Sequence, residues 1–252
     1  MSIRRDLELL YLDLWDALRP PGFDIMLLVV AAMGGALSVL QPTSSPVAAL
    51  GPDFTFSPEL LALFVTTIYI AIRSSSDLVN VVQGGIMQVY MSYPISRRAV
   101  AAVLYITRSL LPAAMLLGVP AVVTAIMLYP VVLRGPAQYA AMWASYLVQS
   151  QLYGTLFLLL SSRFRSTGTA IIASISFYFG YVALSGMLYL MGLLDNMQSL
   201  VNASNSMGFY FDVYYGLTGQ AVSAWQYLVV PLSYAVLLGL YFYYFERRFE
   251  PT

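Results

Sequence analysis

Six long apolar runs, separated by short polar or proline-rich segments, determine what this chain of 252 residues can fold into. About 20 apolar residues in a helix span a hydrocarbon core of about 30 Å. In lipid, only helices and closed barrels satisfy every backbone polar group. The sequence therefore predicts an all-α integral membrane protein whose residues 1–252 form a single transmembrane domain. The predicted spans are residues 24–40, 59–80, 106–129, 139–160, 169–191 and 221–245.

The composition supports a membrane protein and argues against catalysis by this chain. Hydrophobic residues make up 60% of the sequence and charged residues 10%, whereas a soluble domain carries about 25% charged residues. The net charge is zero, so binding to nucleic acid is not expected. His and Cys are absent, which removes the commonest general base, metal ligand and thiol nucleophile. We expect no enzyme activity, no metal and no cofactor in this chain.

An amphipathic helix is predicted before the first span, over residues 3–18. Its apolar residues recur at spacings of four and three, most of its charges lie off that stripe, and the pattern ends at Pro20-Pro21-Gly22. Such a helix lies along the membrane surface, with Trp15 at the level of the headgroups. Packing on another subunit is the alternative. The acidic residues of this segment are not typical of a cleaved secretory signal.

Two further segments have compositions that predict local structure. Span one contains the small-residue pairs Ala31/Gly35 and Ala32/Ala36, which allow a close approach of another helix in lipid. Residues 192–220 interleave Asn and Asp with Phe and Tyr. That mixture predicts an external pair of short re-entrant or interfacial helices, because aromatic residues collect at membrane interfaces.

Polar side chains share a face in three of the spans. Arg73 and Asp77 form an i,i+4 pair of opposite charge in span two, and span four carries Ser145, Gln149 and Tyr153 at i,i+4 spacing. Such residues either line a path or join helices by hydrogen bonds, and Arg73 has snorkelling to the interface as a further alternative. Span five is the third, with Ser174, Tyr178, Tyr181 and Ser185 on one face. The candidate residues of a substrate path are Thr66, Tyr69, Arg73, Ser174, Tyr178, Tyr181 and Ser185.

The arginines indicate the orientation in the membrane. With six spans, ten of them fall on the side of the two termini and only Arg134 falls opposite, Arg108 being interfacial. The positive-inside rule makes both termini cytoplasmic in a multi-pass protein of the plasma membrane. The same rule places the polar segment between spans two and three in the cytoplasm.

That polar segment, residues 83–95, predicts a short helix held between two spans. Gly84 and Gly85 end the preceding helix, and the ring of Pro94 interrupts the short one. Ser96 then forms a natural N-cap for a new helix that begins near Arg97. A short helix in this position offers a contact surface to a soluble protein.

With these features the chain resembles the permease subunits of type-2 ATP-binding-cassette transporters, which are mostly exporters. The likeness covers the interfacial helix, the six spans, the cytoplasmic termini and the helical segment before the last span. Its sharpest part is Ser92-Tyr93-Pro94-Ile95-Ser96-Arg97, similar to the family's Ser/Thr-x-Pro-hydrophobic-Ser-Arg element after span two. Gln83 and Gln88 are the polar residues here, where the family often has an acidic residue.

The resemblance implies that residues 83–95 form a coupling helix that docks on a separate ATPase subunit, which binds ATP and Mg. It also implies a second permease, identical or paralogous, facing this one in the lipid membrane. The chain has no Lys and so no phosphate-binding loop of its own. The implied coupling residues are Gln83, Met87, Gln88, Tyr90, Met91, Ser92, Tyr93, Pro94, Ser96 and Arg97.

Two other functions stay open on the sequence. An ion-coupled transporter or channel usually needs acidic groups near the bilayer midplane, and the central parts of the six predicted spans contain no Asp or Glu. A membrane anchor that recruits a soluble partner without transport is the second alternative.

Overall fold

The computed structural model describes residues 8, 10–15, 18, 22–40, 58–85, 88, 96–219 and 224–247. Within these residues the chain is helical, without strands, and residues 10–15 form a helical segment that we call the N-terminal helix. The longer elements are α1 (Gly22–Leu40), α2 (Pro58–Gln83), α3 (Arg97–Met127), α4 (Tyr129–Val132), α5 (Pro136–Ser161), α6 (Thr167–Leu194), α7 (Gln198–Met207), α8 (Phe209–Thr218) and α9 (Ala224–Arg247).

Long helices occupy all six predicted runs, and four of the described helices are long and apolar enough to cross a membrane. These four candidate spans are Leu61–Gln83, Arg97–Met127, Thr167–Leu194 and Leu228–Arg247, and Gly22–Gly35 is a shorter apolar helix. The mixed segment after α6 contains the two short helices α7 and α8, separated by Gly208. A pair of helices is therefore present where the sequence predicted one.

Helix α5 lies in the middle of the bundle and contacts α2, α3, α6, α8 and α9. Fifteen of its 26 residues are buried, among them Ser145, Gln149 and Gln151. A helix enclosed by other helices does not need an apolar surface toward lipid. This explains why α5 has the length of a span but not the apolarity of the four candidate spans.

Helix α3 begins as the sequence predicted. Ser96 has extended backbone angles, and its hydroxyl accepts a hydrogen bond of 3.1 Å from the backbone N–H of Ala99. This is the N-cap geometry that satisfies one of the free N–H groups of the first helical turn. The helix then continues to Met127 without a break.

A π-helical turn, Ile106–Leu110, interrupts the α geometry of α3. The backbone N–H of Leu111 donates to the carbonyl of Ile106, five residues earlier. Pro112 has no N–H, so the carbonyl of Arg108 cannot receive its usual bond from four residues ahead. The Ser74 hydroxyl on α2 donates to that carbonyl at 2.9 Å instead. The irregular turn thereby becomes a contact between α2 and α3.

Polar contacts join several helix ends at one end of the bundle. Arg98 at the start of α3 donates to Glu246 at the end of α9 from Nε and Nη2, at 2.9 and 2.8 Å. Arg163, after α5, lies over the Tyr244 ring, 4.9 Å from its centroid. Most of the described arginines lie at or near this end, which we call the arginine-rich end, and Arg134 lies in the turn at the opposite end of α5.

The small residues of α1 permit its contact with α3. A Cβ added at Gly34 would lie 3.1 Å from the Cβ of Pro120, and one added at Gly35 would lie 3.6 Å from the Val123 Cγ1. The sequence predicted a close helix contact for this stretch. The closest approach occurs at Gly34, beside the predicted pair residue Gly35.

Gly154 gives a test of the contact between α5 and the π turn. A Cβ there would overlap the Ser109 hydroxyl and lie 3.0 Å from the Ser109 Cβ. We expect Gly154→Ala to reduce the free energy of unfolding by about 1–3 kcal/mol, the usual cost of overpacking, as measured by thermal unfolding in detergent.

Gly239→Ala in α9 is the matched control, because its added Cβ would meet no atom within 4 Å. Adding Ser109→Ala to Gly154→Ala should recover part of the loss. Equal stability of the two alanine variants would contradict the close contact.

Candidate functional site

A group of four charged side chains joins the N-terminal helix, α2 and the π turn of α3, and two of them, Asp13 and Arg108, are buried. Arg108 is 1% exposed, and its guanidinium donates from Nη2 to Asp13 Oδ1 at 2.7 Å and from Nη1 to Asp77 Oδ2 at 2.8 Å. Arg73 Nε lies 2.7 Å from the same Asp77 oxygen. We call Asp13, Arg73, Asp77 and Arg108 the charge cluster.

The π turn supplies more than one member of this arrangement. Thr107 donates to the second carboxylate oxygen of Asp13 and also to the carbonyl of Val103 at 2.8 Å. Ser109 donates to Gln151 Oε1 on α5 at 3.2 Å. Thr107, Arg108 and Ser109 are consecutive and all buried, which an ordinary helix against one neighbour does not achieve. The widened turn therefore directs three polar side chains into the bundle.

The sequence interpretation of Asp13 differs from its position in the structure. The sequence predicts Asp13 on the polar face of a helix lying on the membrane, and Arg108 near the membrane interface, which stays a prediction. Asp13 instead points into the bundle and is 2% exposed, while Leu12 and Trp15 are exposed. The reason is the ion pair with Arg108, which lies 95 residues away in the sequence. The predicted pair of Arg73 with Asp77 is confirmed.

A second candidate site is an aromatic cavity of about 440 Å³ between α2, α5, α6 and α7. Tyr153 on α5 meets two rings of α6 edge to face, Tyr178 at 5.3 Å and Tyr181 at 5.9 Å between centroids. Phe64 on α2 lies 6.0 Å from Tyr178. The other described lining residues are Leu63, Gln149, Val182, Ser185, Gly186, Tyr189, Leu190, Ser204, Met207 and Gly208.

Hydrogen bonds fix α7 as one wall of this cavity. The Tyr181 hydroxyl donates to the carbonyl of Met207 at 2.9 Å. The Ser204 hydroxyl donates to the carbonyl of Ser185 at 2.8 Å. Tyr178 makes no hydrogen bond within the described part of the chain, although it is buried and lines the cavity. The described lining residues include no Asp, Glu, Lys or Arg.

The structure brings together three of the predicted path residues and separates the other four. Tyr178, Tyr181 and Ser185 line the aromatic cavity. Ser174 instead shares a hydrogen bond of 2.8 Å with Ser75, which also accepts from Ser161 at 2.9 Å, so it joins α2, α5 and α6. The remaining three lie on α2 outside the described cavity lining: Thr66 is buried, Tyr69 packs against Phe23, and Arg73 belongs to the charge cluster.

Several cavity residues were not in the predicted path. Gln149 and Tyr153 lie at i,i+4 spacing on α5, and this spacing indicates that they share a helix face. Ser204 and Met207 come from α7, and no local pattern relates them to α6.

The predicted coupling residues are described only in part. Gln83 ends α2, Gly85 follows with a φ of +73°, and Gln88 is exposed. Ser96 and Arg97, at the start of α3, are exposed as well. The other predicted coupling residues, Met87, Tyr90, Met91, Ser92, Tyr93 and Pro94, lie outside the described residues.

Comparison with known proteins does not assign a family: no protein-family model matches the chain, and no curated protein matches it in sequence. Within the described residues, no group of three or more acidic side chains could hold a metal ion.

Arg108 gives a test of the charge cluster. We expect Arg108→Met to reduce the free energy of unfolding by about 3–5 kcal/mol, because it leaves the buried carboxylate of Asp13 without its counter-charge, whereas Asp77 keeps Arg73. Adding Asp13→Asn should recover part of this loss, since it removes the carboxylate that Arg108 neutralises. The measurement is thermal or denaturant unfolding of the purified chain in detergent.

The matched control is Arg98→Met on the same helix. The Arg98 side chain is 70% exposed in its ion pair with Glu246, and such surface pairs contribute about 0.2–1 kcal/mol. If the two arginine variants were equally stable, the burial of the charge cluster would be contradicted.

Proposed function

We propose that this chain is the membrane subunit of an ATP-driven transporter of the exporter type, with six spans and a separate ATPase subunit that docks on residues 83–95. The observation that carries the proposal is the continuous helix Arg97–Met127, which begins directly after that segment. At 1.5 Å per residue it is about 46 Å long, whereas a hydrocarbon core is about 30 Å thick. In the proposal, the surplus length lies on the side of the docking segment, where the soluble partner binds.

The charge cluster supports a mechanical role for this helix. Arg108 of α3 is held by Asp13 of the N-terminal helix and by Asp77 of α2. Breaking such a buried pair costs about 3–5 kcal/mol, so the three elements move together more readily than apart. In the proposed mechanism, closure of the ATPase dimer pushes the segment 83–95, and α2 and α3 transmit the displacement as one body.

The distribution of arginines supports the proposed orientation. The contacts of Arg98 with Glu246 and of Thr167 with Asn80 bring the ends of α2, α3, α6 and α9 together. The chain continues from Gln83, at this same end, into the docking segment. In the proposal this arginine-rich end faces the cytoplasm, as the positive-inside rule requires. The chain termini and the docking segment then lie on the side where ATP is available.

In the proposed transporter, two permeases face each other across the membrane path, and this chain contributes α2, α5 and α6 to it. Tyr178, Tyr181 and Ser185 support this part, because they line a cavity rather than a closed helix contact. ATP and Mg belong to the partner subunit, since the chain has no phosphate-binding loop with Lys.

A charge in the docking segment tests the function. We expect Tyr93→Asp to abolish most ATP-dependent transport in proteoliposomes that contain the ATPase, because a buried carboxylate at an apolar protein contact is costly. The variant should insert and fold normally. Co-purification of the ATPase with the wild-type chain, and its loss in Tyr93→Asp, is the direct readout.

Tyr129→Asp is the control, because Tyr129 is exposed at the start of α4, beyond the end of α3 that is remote from the docking segment. It should retain the ATPase and transport activity. Unchanged transport by Tyr93→Asp, or transport driven by an ion gradient without ATP, would contradict the proposed function.

A further inference from the structure

The aromatic cavity has the features of a ligand site rather than of a gap between helices. Its volume of about 440 Å³ lies within the range of about 300–1,000 Å³ found for small-molecule sites. Tyr153, Tyr178 and Tyr181 place three rings around it, at mutual edge-to-face angles of 82° and 88°. Rings fixed in this way form a rigid aromatic wall for a bound molecule.

The chemistry of the wall restricts the ligand to uncharged molecules. The described lining residues offer Tyr and Ser hydroxyls and the Gln149 amide, and they include no ionisable acid or base other than Tyr. An ion moved into such a site would lose its hydration without gaining a counter-charge. A neutral ligand with hydroxyl groups would find donors and acceptors, among them the Tyr178 hydroxyl, which has no hydrogen bond within the described residues.

The mouth of the cavity indicates where the ligand enters. Phe64, Val182 and Leu190 line the cavity and are also exposed at the surface, by 39%, 47% and 59%. They lie on α2 and α6, two of the candidate membrane spans, and α6 is the least buried of the four. Because the apolar faces of spans lie in the hydrocarbon region, this apolar rim lies within the membrane.

We infer that the aromatic cavity binds an uncharged amphiphile, with an apolar body that contacts the aromatic rings and a hydroxyl-bearing head, which enters through the apolar rim within the membrane. The assignment of this amphiphile as the transported molecule rests on the proposed function. The binding of the amphiphile does not rest on the proposed function, because the cavity is formed within this chain and needs neither nucleotide nor ATPase.

Glycines of α6 provide a matched pair of variants. Gly186 lines the cavity, and a Cβ added there would meet no atom within 4 Å. We therefore expect a leucine side chain at this position to occupy part of the cavity, since its Cβ meets no wall atom. Gly180 on the same helix is equally unobstructed but does not line the described cavity. Gly180→Leu thus controls for the added side chain and the changed helix propensity.

The experiment uses the full chain in phosphatidylcholine nanodiscs, without ATPase or nucleotide. The probe is 2-naphthyl glucoside, an uncharged aromatic amphiphile, and its fluorescence anisotropy is measured against empty nanodiscs. We expect saturable binding by the wild type and by Gly180→Leu, and a loss of at least tenfold in affinity for Gly186→Leu. Tyr178→Phe should weaken binding about two- to tenfold, the usual effect of one hydrogen bond.

The charged analogues 2-naphthyl sulfate and 2-naphthylmethylammonium test the ligand class. Each should bind at least tenfold more weakly than the glucoside, because the site offers no counter-charge. The inference is overturned if the wild type shows no saturable binding, if either ion binds within tenfold of the glucoside, or if Gly186→Leu binds as Gly180→Leu does. Intact binding without ATP-dependent transport would contradict the proposed function alone, and transport without glucoside binding would contradict the inference alone.

Discussion

The ion pairs of Arg108 are the interaction on which the arrangement of the bundle depends. A guanidinium that is 1% exposed is stable only when carboxylates neutralise it and hydrogen bonds occupy its N–H groups. Asp13 and Asp77 supply the carboxylates from two different elements and accept hydrogen bonds from Nη2 and Nη1. Because one side chain takes its partners from the N-terminal helix and from α2, the positions of those two elements are fixed relative to α3.

The π turn makes this burial possible. One inserted residue rotates the following part of a helix by about 100° relative to the preceding part. Thr107, Arg108 and Ser109 can then contact the N-terminal helix, α2 and α5 respectively. Pro112 contributes by leaving the Arg108 carbonyl open to Ser74. The interior of the bundle is therefore polar at this level, and α5, which crosses it, carries Gln151 and Ser150 there instead of leucine.

The sequence predicts those features whose signal is local. Apolar runs indicated the six long helices. A Ser directly before a helical pattern indicated the N-cap at Ser96, and the i,i+4 spacing of Arg73 and Asp77 indicated their ion pair. The partners of Arg108 could not be predicted, because Asp13 is 95 residues away and a π turn has no simple residue signature. Tyr178, Tyr181 and Ser185 line the cavity and share a helix face that their spacing indicates, whereas the α7 wall depends on tertiary contacts that no local pattern indicates.

Helix α2 carries residues of both candidate sites. It carries Asp77 of the charge cluster and, about 21 Å along its axis, Leu63 and Phe64 of the aromatic cavity. Because Arg108 holds α2 to α3, the proposed push at the docking segment, next to the end of α2, would move both helices as one body. That movement would carry Phe64 with it and so widen or narrow the cavity. In the proposed transporter, the force from the ATPase therefore reaches the cavity through α2, with Arg108 as the link to α3.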